Sequence, residues 1–110
     1  GSYTLGENIA DQGGLLVSYQ AYMNTLKDKA IPSDIDGFTH SQRFYIGYAN
    51  LWAQNLRPQE IMRRTKTDVH SLGKWRVNAA LKNIEDFYKA FDIKEGDAMY
   101  LAPEERINIW

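Results

Sequence analysis

The sequence predicts an all-α fold. Apolar residues recur at helical spacing in separate stretches, a capping box and an Arg-Pro pair mark helix starts, and no strand-type alternation or internal repeat interrupts the 110 residues. The length amounts to one domain, so residues 1–110 read as a single helical unit. A hydrophobic fraction of 44%, with 3 Trp, 7 Tyr and 4 Phe, supplies enough apolar surface for a core and lies far from a disordered composition.

The first helix is expected from Glu7 to about Asp28, where Ile9, Leu16, Tyr19, Met23 and Leu26 form an apolar stripe. Ala30 to Phe38 is rich in turn residues and reads as a connecting loop. Thr39 then offers an N-cap, with Gln42 at the capping-box spacing, ahead of Phe44, Tyr45, Ile46, Tyr48, Leu51 and Trp52. Nearly every face of that second helix is apolar, which predicts a central position. Arg57-Pro58 ends it, and Pro58 suits the first turn of a short third helix through about Arg64, since proline has no amide proton to lose there. Residues 65–76 lack a clean period and read as an ordered loop or a single turn. Ile84, Phe87, Tyr88 and Phe91 fit one more amphipathic helix, with Asn83 as its cap. Beyond Gly96 the tail is irregular and ends on Trp110.

Composition excludes several classes. The 13 basic and 14 acidic residues give a net charge of −1, so no global field draws the chain to nucleic acid or an anionic membrane. The absence of cysteine rules out a disulfide framework and a thiolate zinc site. No run approaches the ~20 apolar residues that cross a bilayer, so no membrane contact is expected of this segment. Gly1-Ser2, with neither a charged nor an apolar leader behind it, reads as a cloning remnant.

Few residues offer chemistry. Glu7 and Asp11 are one helical turn apart on one face, shared with Gly14 and Ser18 and roughly opposite the Ile9, Leu16, Met23 stripe. From spacing alone a solvated face is the plainer reading, against a metal or acid/base role. Glycine inside a helix nevertheless costs about 1 kcal/mol relative to alanine and usually has a packing reason, so something is expected to pack closely there. His70, in Asp68-Val69-His70-Ser71, is either a surface or capping residue or a donor to a developing oxyanion. In the second case Arg76 would be its fork-shaped companion on a substrate carbonyl. His40, at the start of the second helix, is assigned no role. Arg57, Arg63, Arg64 and Lys66 alternate with Glu60 and Asp68, a mixed surface rather than a nucleic-acid footprint. The aromatic run of the second helix reads as core rather than ligand box. Neither H-E-x-x-H nor any phosphate-loop or nucleophile-elbow motif occurs, so the chain holds no complete active site.

The string Leu5-Gly6-Glu7-Asn8-Ile9-Ala10-Asp11-Gln12-Gly13-Gly14 resembles the segment around the third zinc ligand of the neprilysin (endothelin-converting enzyme) family of metallopeptidases. Further matches follow in order: Trp52 with Arg57-Pro58, Thr67-Asp68-Val69-His70-Ser71, Trp75-Arg76-Val77-Asn78, and Pro103-Glu104 ahead of Trp110. The resemblance covers essentially the whole chain. It implies the helical C-terminal portion of a zincin-type catalytic domain, with zinc and peptide substrates in the complete enzyme. Glu7 matches the zinc-binding glutamate that joins the two histidines of an upstream H-E-x-x-H, and Asp11 the aspartate that orients one of them. His70 matches the histidine that stabilises the tetrahedral intermediate, Arg76 the arginine that holds the substrate backbone, and Leu51 and Trp52 the lining of the S1′ pocket. Gly14 and Ser18 would then be the surface against the upstream zinc helix.

Ala53, Ile93 and Ile107 stand where animal members carry cysteines, which points to a bacterial-type member without those disulfides. Asn108 stands where several members place an arginine, leaving endo- against dipeptidyl-peptidase preference open. The resemblance also implies an extracytoplasmic location, and a fragment that is silent without its upstream part because one carboxylate does not hold zinc. The rival reading from another class is a non-catalytic helical interaction module whose Glu7 face binds a partner helix.

Overall fold

The computed structural model describes residues 2–109, so Gly1 and Trp110, and what was read from them, lie outside the described residues. The described chain is helical, with five α-helices: α1 (Leu5–Leu26), α2 (His40–Leu51), α3 (Pro58–Thr67), α4 (Gly73–Leu81) and α5 (Glu85–Phe91). Single 3-10 turns occupy Ser2–Thr4 and Pro103–Glu105. Among the described residues the one extended pairing is an isolated bridge from Ile35 to Phe38, closed through Gly37 at φ 80°.

Helix α1 corrects the expected stripe. Its buried residues are Gln12, Gly13 and Leu15, with Leu16 and Tyr19 packed beside them. The line that meets the core therefore runs through Gln12, Leu15, Leu16 and Tyr19: of the expected stripe Leu16 and Tyr19 pack against the core, whereas Ile9, Met23 and Leu26 are not part of it. The reason is the partner: α1 packs along α4, a helix absent from the sequence reading.

The capping box at α2 forms as read. Thr39 Oγ1 accepts from the Gln42 N–H at 3.2 Å, and the Thr39 N–H donates to Gln42 Oε1 at 3.0 Å. The Gln42 amide also donates to the Ala90 carbonyl at 2.9 Å, which ties the start of α2 to α5. The helix is less central than its composition suggests, because only Tyr45 is fully buried and Leu51 is 71% exposed. Tyr45 joins Leu15, Ala80, Leu81, Ile84, Phe87 and Tyr88 in the core. Its ring lies 5.2 Å from those of Tyr19 and Phe44 and 5.5 Å from that of Phe87. Burial pushes its phenol well above the ordinary tyrosine range.

Helix α3 begins on Pro58 as expected but runs to Thr67, and it buries no residue. The segment 65–76 is the main departure. Only Asp68 to Leu72 is loop, and α4 starts at Gly73. Gly73 is required at that start, since a Cβ there would lie 2.5 Å from the Trp52 carbonyl oxygen. Asn83 is not the cap of α5. Ile84 holds that position without a side-chain bond, while the Asn83 amide donates back to the Ala79 carbonyl at 2.8 Å.

The tail is irregular yet fastened. Tyr88 Oη accepts from the Leu101 N–H at 2.7 Å and donates to the Lys82 carbonyl at 2.9 Å. The Arg106 guanidinium lies 3.8 Å from the Tyr88 ring centroid, donates to the Leu101 carbonyl at 2.8 Å and meets Glu85 at 2.6 Å.

Candidate active site

Three elements converge on the N-terminal half of α1. The helix presents Glu7 and Asp11 one turn apart, α4 brings Arg76 across to them, and the loop between α3 and α4 brings His70.

Arg76 grips Asp11 with two parallel bonds, Nε to Oδ2 and Nη2 to Oδ1, both 2.6 Å. The two side chains are 12% and 11% exposed, so this is a largely desolvated fork. The carboxylate raises the guanidinium further above its ordinary range. On its other face the guanidinium lies 3.9 Å from the centre of the Trp52 ring. Tyr48 donates to the Arg76 main-chain carbonyl at 3.2 Å, and burial, with Asp11 adding to it, pushes the Tyr48 phenol up. Two of the five guanidinium N–H groups are spent on Asp11.

His70 is held from both sides. Its Nδ1 lies 2.8 Å from Asp68 Oδ1, which also accepts the His70 main-chain N–H at 2.9 Å. Its Nε2 lies 3.2 Å from Glu7 Oε2. The His70 main-chain N–H, and then the ring, hold the Asp68 carboxyl below the ordinary carboxylate range. Asp68 is the site residue that sequence reasoning passed over. The signal was there: an aspartate two residues before a loop histidine can accept that residue's N–H and orient its ring.

Leu51 and Trp52 separate. Leu51 lines a concavity of about 340 Å³ with Ala10, Asp11, Gly14, Leu15, Ser18, Phe44 and Tyr48. Trp52 stacks on Arg76 and faces a different hollow, with Leu56, Ile61 and Leu72. A Cβ on Gly14 would meet nothing within 4 Å, so no described residue packs closely against Gly14 itself. His40 lies beside the Tyr22 ring, 5.8 Å between centroids, away from the site. The basic cluster is a mixed surface: Arg63 and Arg64 both bind Glu60 at 2.8 Å and hold its carboxyl at about 2.

Glu7 carries a carboxylate that could serve as one metal ligand. Its carboxylate is 42% exposed and lies 3.2 Å from His70 Nε2. Among the described residues no three His, Cys, Asp or Glu side chains gather as a metal site. The donor set fits zinc as a single oxygen ligand, to be completed by groups outside these residues.

The mouse protein "membrane metallo-endopeptidase-like 1" is 41% identical across the whole chain, and human neprilysin is 38% identical. The chain spans only 14% and 15% of their lengths. The zinc metalloprotease Zmp1 of Mycobacterium tuberculosis, in its open state, superposes with a TM-score of 0.93 at 41% identity, over 99% of this chain and 17% of that one. The family model of peptidase family M13 matches residues 1–107. With that match over nearly its full length, and with the same helical fold, the chain belongs to peptidase family M13.

Proposed function

We propose that the chain is the C-terminal part of a zinc metalloendopeptidase, a single helical unit that supplies one metal ligand and the groups that hold the substrate in the transition state. The observation that carries this reading is the convergence of Glu7, His70 and the Asp11–Arg76 fork on one face, from elements up to 65 residues apart. A face meant only for solvent has no use for a desolvated fork beside a doubly held histidine.

Glu7 is the protein's anionic ligand. Zinc, when bound, supplies Lewis-acid activation of water and of the scissile carbonyl. Asp68 fixes the His70 ring, so that Nε2 is presented as a donor where negative charge develops on the carbonyl oxygen, a contribution of about 3 kcal/mol in comparable sites. Arg76, held rigid by Asp11 and Trp52, offers its remaining N–H groups to a substrate main-chain carbonyl. Asp11 keeps lone pairs beyond the two used by Arg76, enough to accept from a ligand histidine carried upstream. The concavity beside Leu51 suits a large apolar side chain following the scissile bond, with Trp52 acting through Arg76 rather than as a wall. The substrates are peptides, the partner is the upstream part of the same polypeptide with its H-E-x-x-H, and the setting is extracytoplasmic.

The open Gly14 face favours one alternative, a helical module that binds a partner helix. Peptidase assays of the full-length parent separate the two. Glu7→Gln should lose zinc and activity together, whereas His70→Ala should keep zinc and lose activity. Full zinc and full activity in both variants would leave only the helical module. The isolated 110 residues should bind no zinc and cleave nothing.

A further inference from the structure

Among the described residues Gln12 is the one polar residue in the buried class, 4% exposed. It follows Asp11 on α1 and spends its amide on neither its own helix nor α4. Nε2 donates instead to the Ile107 carbonyl at 2.6 Å, across 95 residues of sequence. The Ile107 N–H in turn donates to Asn83 Oδ1 at 2.7 Å. One residue earlier, Arg106 is stacked on Tyr88 and bonded to the Leu101 carbonyl and Glu85. The tail is thus pinned to the α4–α5 corner, and Gln12 is where the pinned tail grips α1.

A buried amide is costly unless bonded, and a methionine of similar length would fill the same space without that demand. What the polar side chain adds is direction. An apolar contact tolerates rotation of a helix about its axis, whereas a short bond to a fixed carbonyl does not. Rotating α1 by one residue, about 100°, would carry Glu7 and Asp11 away from His70 and Arg76.

We propose that Gln12 is a positioning residue: through its bond to Ile107 the pinned tail sets the rotation of α1 and so holds the Glu7 and Asp11 carboxylates in place. The inference rests on Glu7 being the zinc ligand.

The test uses the zinc-loaded full-length enzyme as wild type, Gln12→Met, Asn83→Ala and Glu7→Gln. Zinc loss to a chelator is timed, and kcat and KM are measured separately. Gln12→Met should shorten the zinc half-life roughly 10-fold, as loss of a support behind a metal ligand does, and lower kcat with KM near wild type. Asn83→Ala loosens the tail without touching α1 and should shift the half-life in the same direction, which keeps the test usable if Gln12→Met folds poorly. A lowered melting temperature with zinc half-lives within about two-fold of wild type, well below the loss expected of such a support, would make Gln12 a packing residue only and overturn the proposal. Glu7→Gln separates the failures: zinc retained there sinks the ligand assignment and the positioning role with it. Zinc lost there but held by Gln12→Met sinks the positioning role alone.

Discussion

Two of the arginine–carboxylate clusters in this chain do different things. On α3, Glu60 takes Arg63 and Arg64 at 2.8 Å, three and four residues away on an exposed helix. Between α4 and α1, Arg76 takes Asp11 at 2.6 Å from a position 65 residues distant, with both side chains almost out of water. The first pairing is a local consequence of helix spacing and supports only its own helix. The second joins two helices, α4 to α1. Burial and sequence separation, not the number of ion pairs, decide what such a pair is worth.

The sharpest way to break the contrast is Arg76→Met, which leaves the Asp11 charge largely buried without a partner. Chemical denaturation should report a loss of about 3 kcal/mol, near the low end for severed buried pairs because some solvent reaches this one. Arg76→Lys should recover part of that loss, since a lysine keeps the charge but neither the fork nor the stack on Trp52. Next in size is Asp68→Ala, an effect on rate rather than on stability. Freed from its oxygen, the His70 ring turns, and kcat should fall by up to about 100-fold while zinc content and melting temperature stay near wild type.

The smallest effect belongs to Glu60→Gln, whose melting curve should be indistinguishable from wild type in high salt, where exposed pairs are screened. A pH titration sharpens the comparison. The folded-state value of Glu60 is depressed to about 2. Its stabilisation is therefore fully present above the ordinary carboxylate pKa and is lost as the pH falls through the folded value. At low salt, any helicity that α3 owes to Glu60 should separate wild type from Glu60→Gln by circular dichroism at pH 5, and the difference should vanish near pH 2.

What the sequence made legible was local. The Thr39–Gln42 box, the start of α3 at Pro58 and the helical run of α1 each depend on residues within one turn of one another. The missed element, α4, has a glycine and charged residues at its start and an apolar side made only of Val77, Ala80 and Leu81. It is helical because α1 lies against it, which no window of a dozen residues contains. The same holds for the site. Glu7 and Asp11 were visible as a spaced pair and as part of a recognisable string, whereas the commitment of Asp11 to Arg76 depends on tertiary contact. The divergence of Leu51 and Trp52 was not legible either, because the stack of Trp52 on Arg76 is a tertiary contact.

The bond from Gln12 to Ile107 also has a consequence in time. Its two ends are 95 residues apart, and at ribosomal rates the second appears roughly 5 to 20 s after the first. Local helices form in about a microsecond, so α1 can wind long before its rotation can be fixed. During synthesis, therefore, α1 can be wound well before the bond that we propose sets its rotation is able to form.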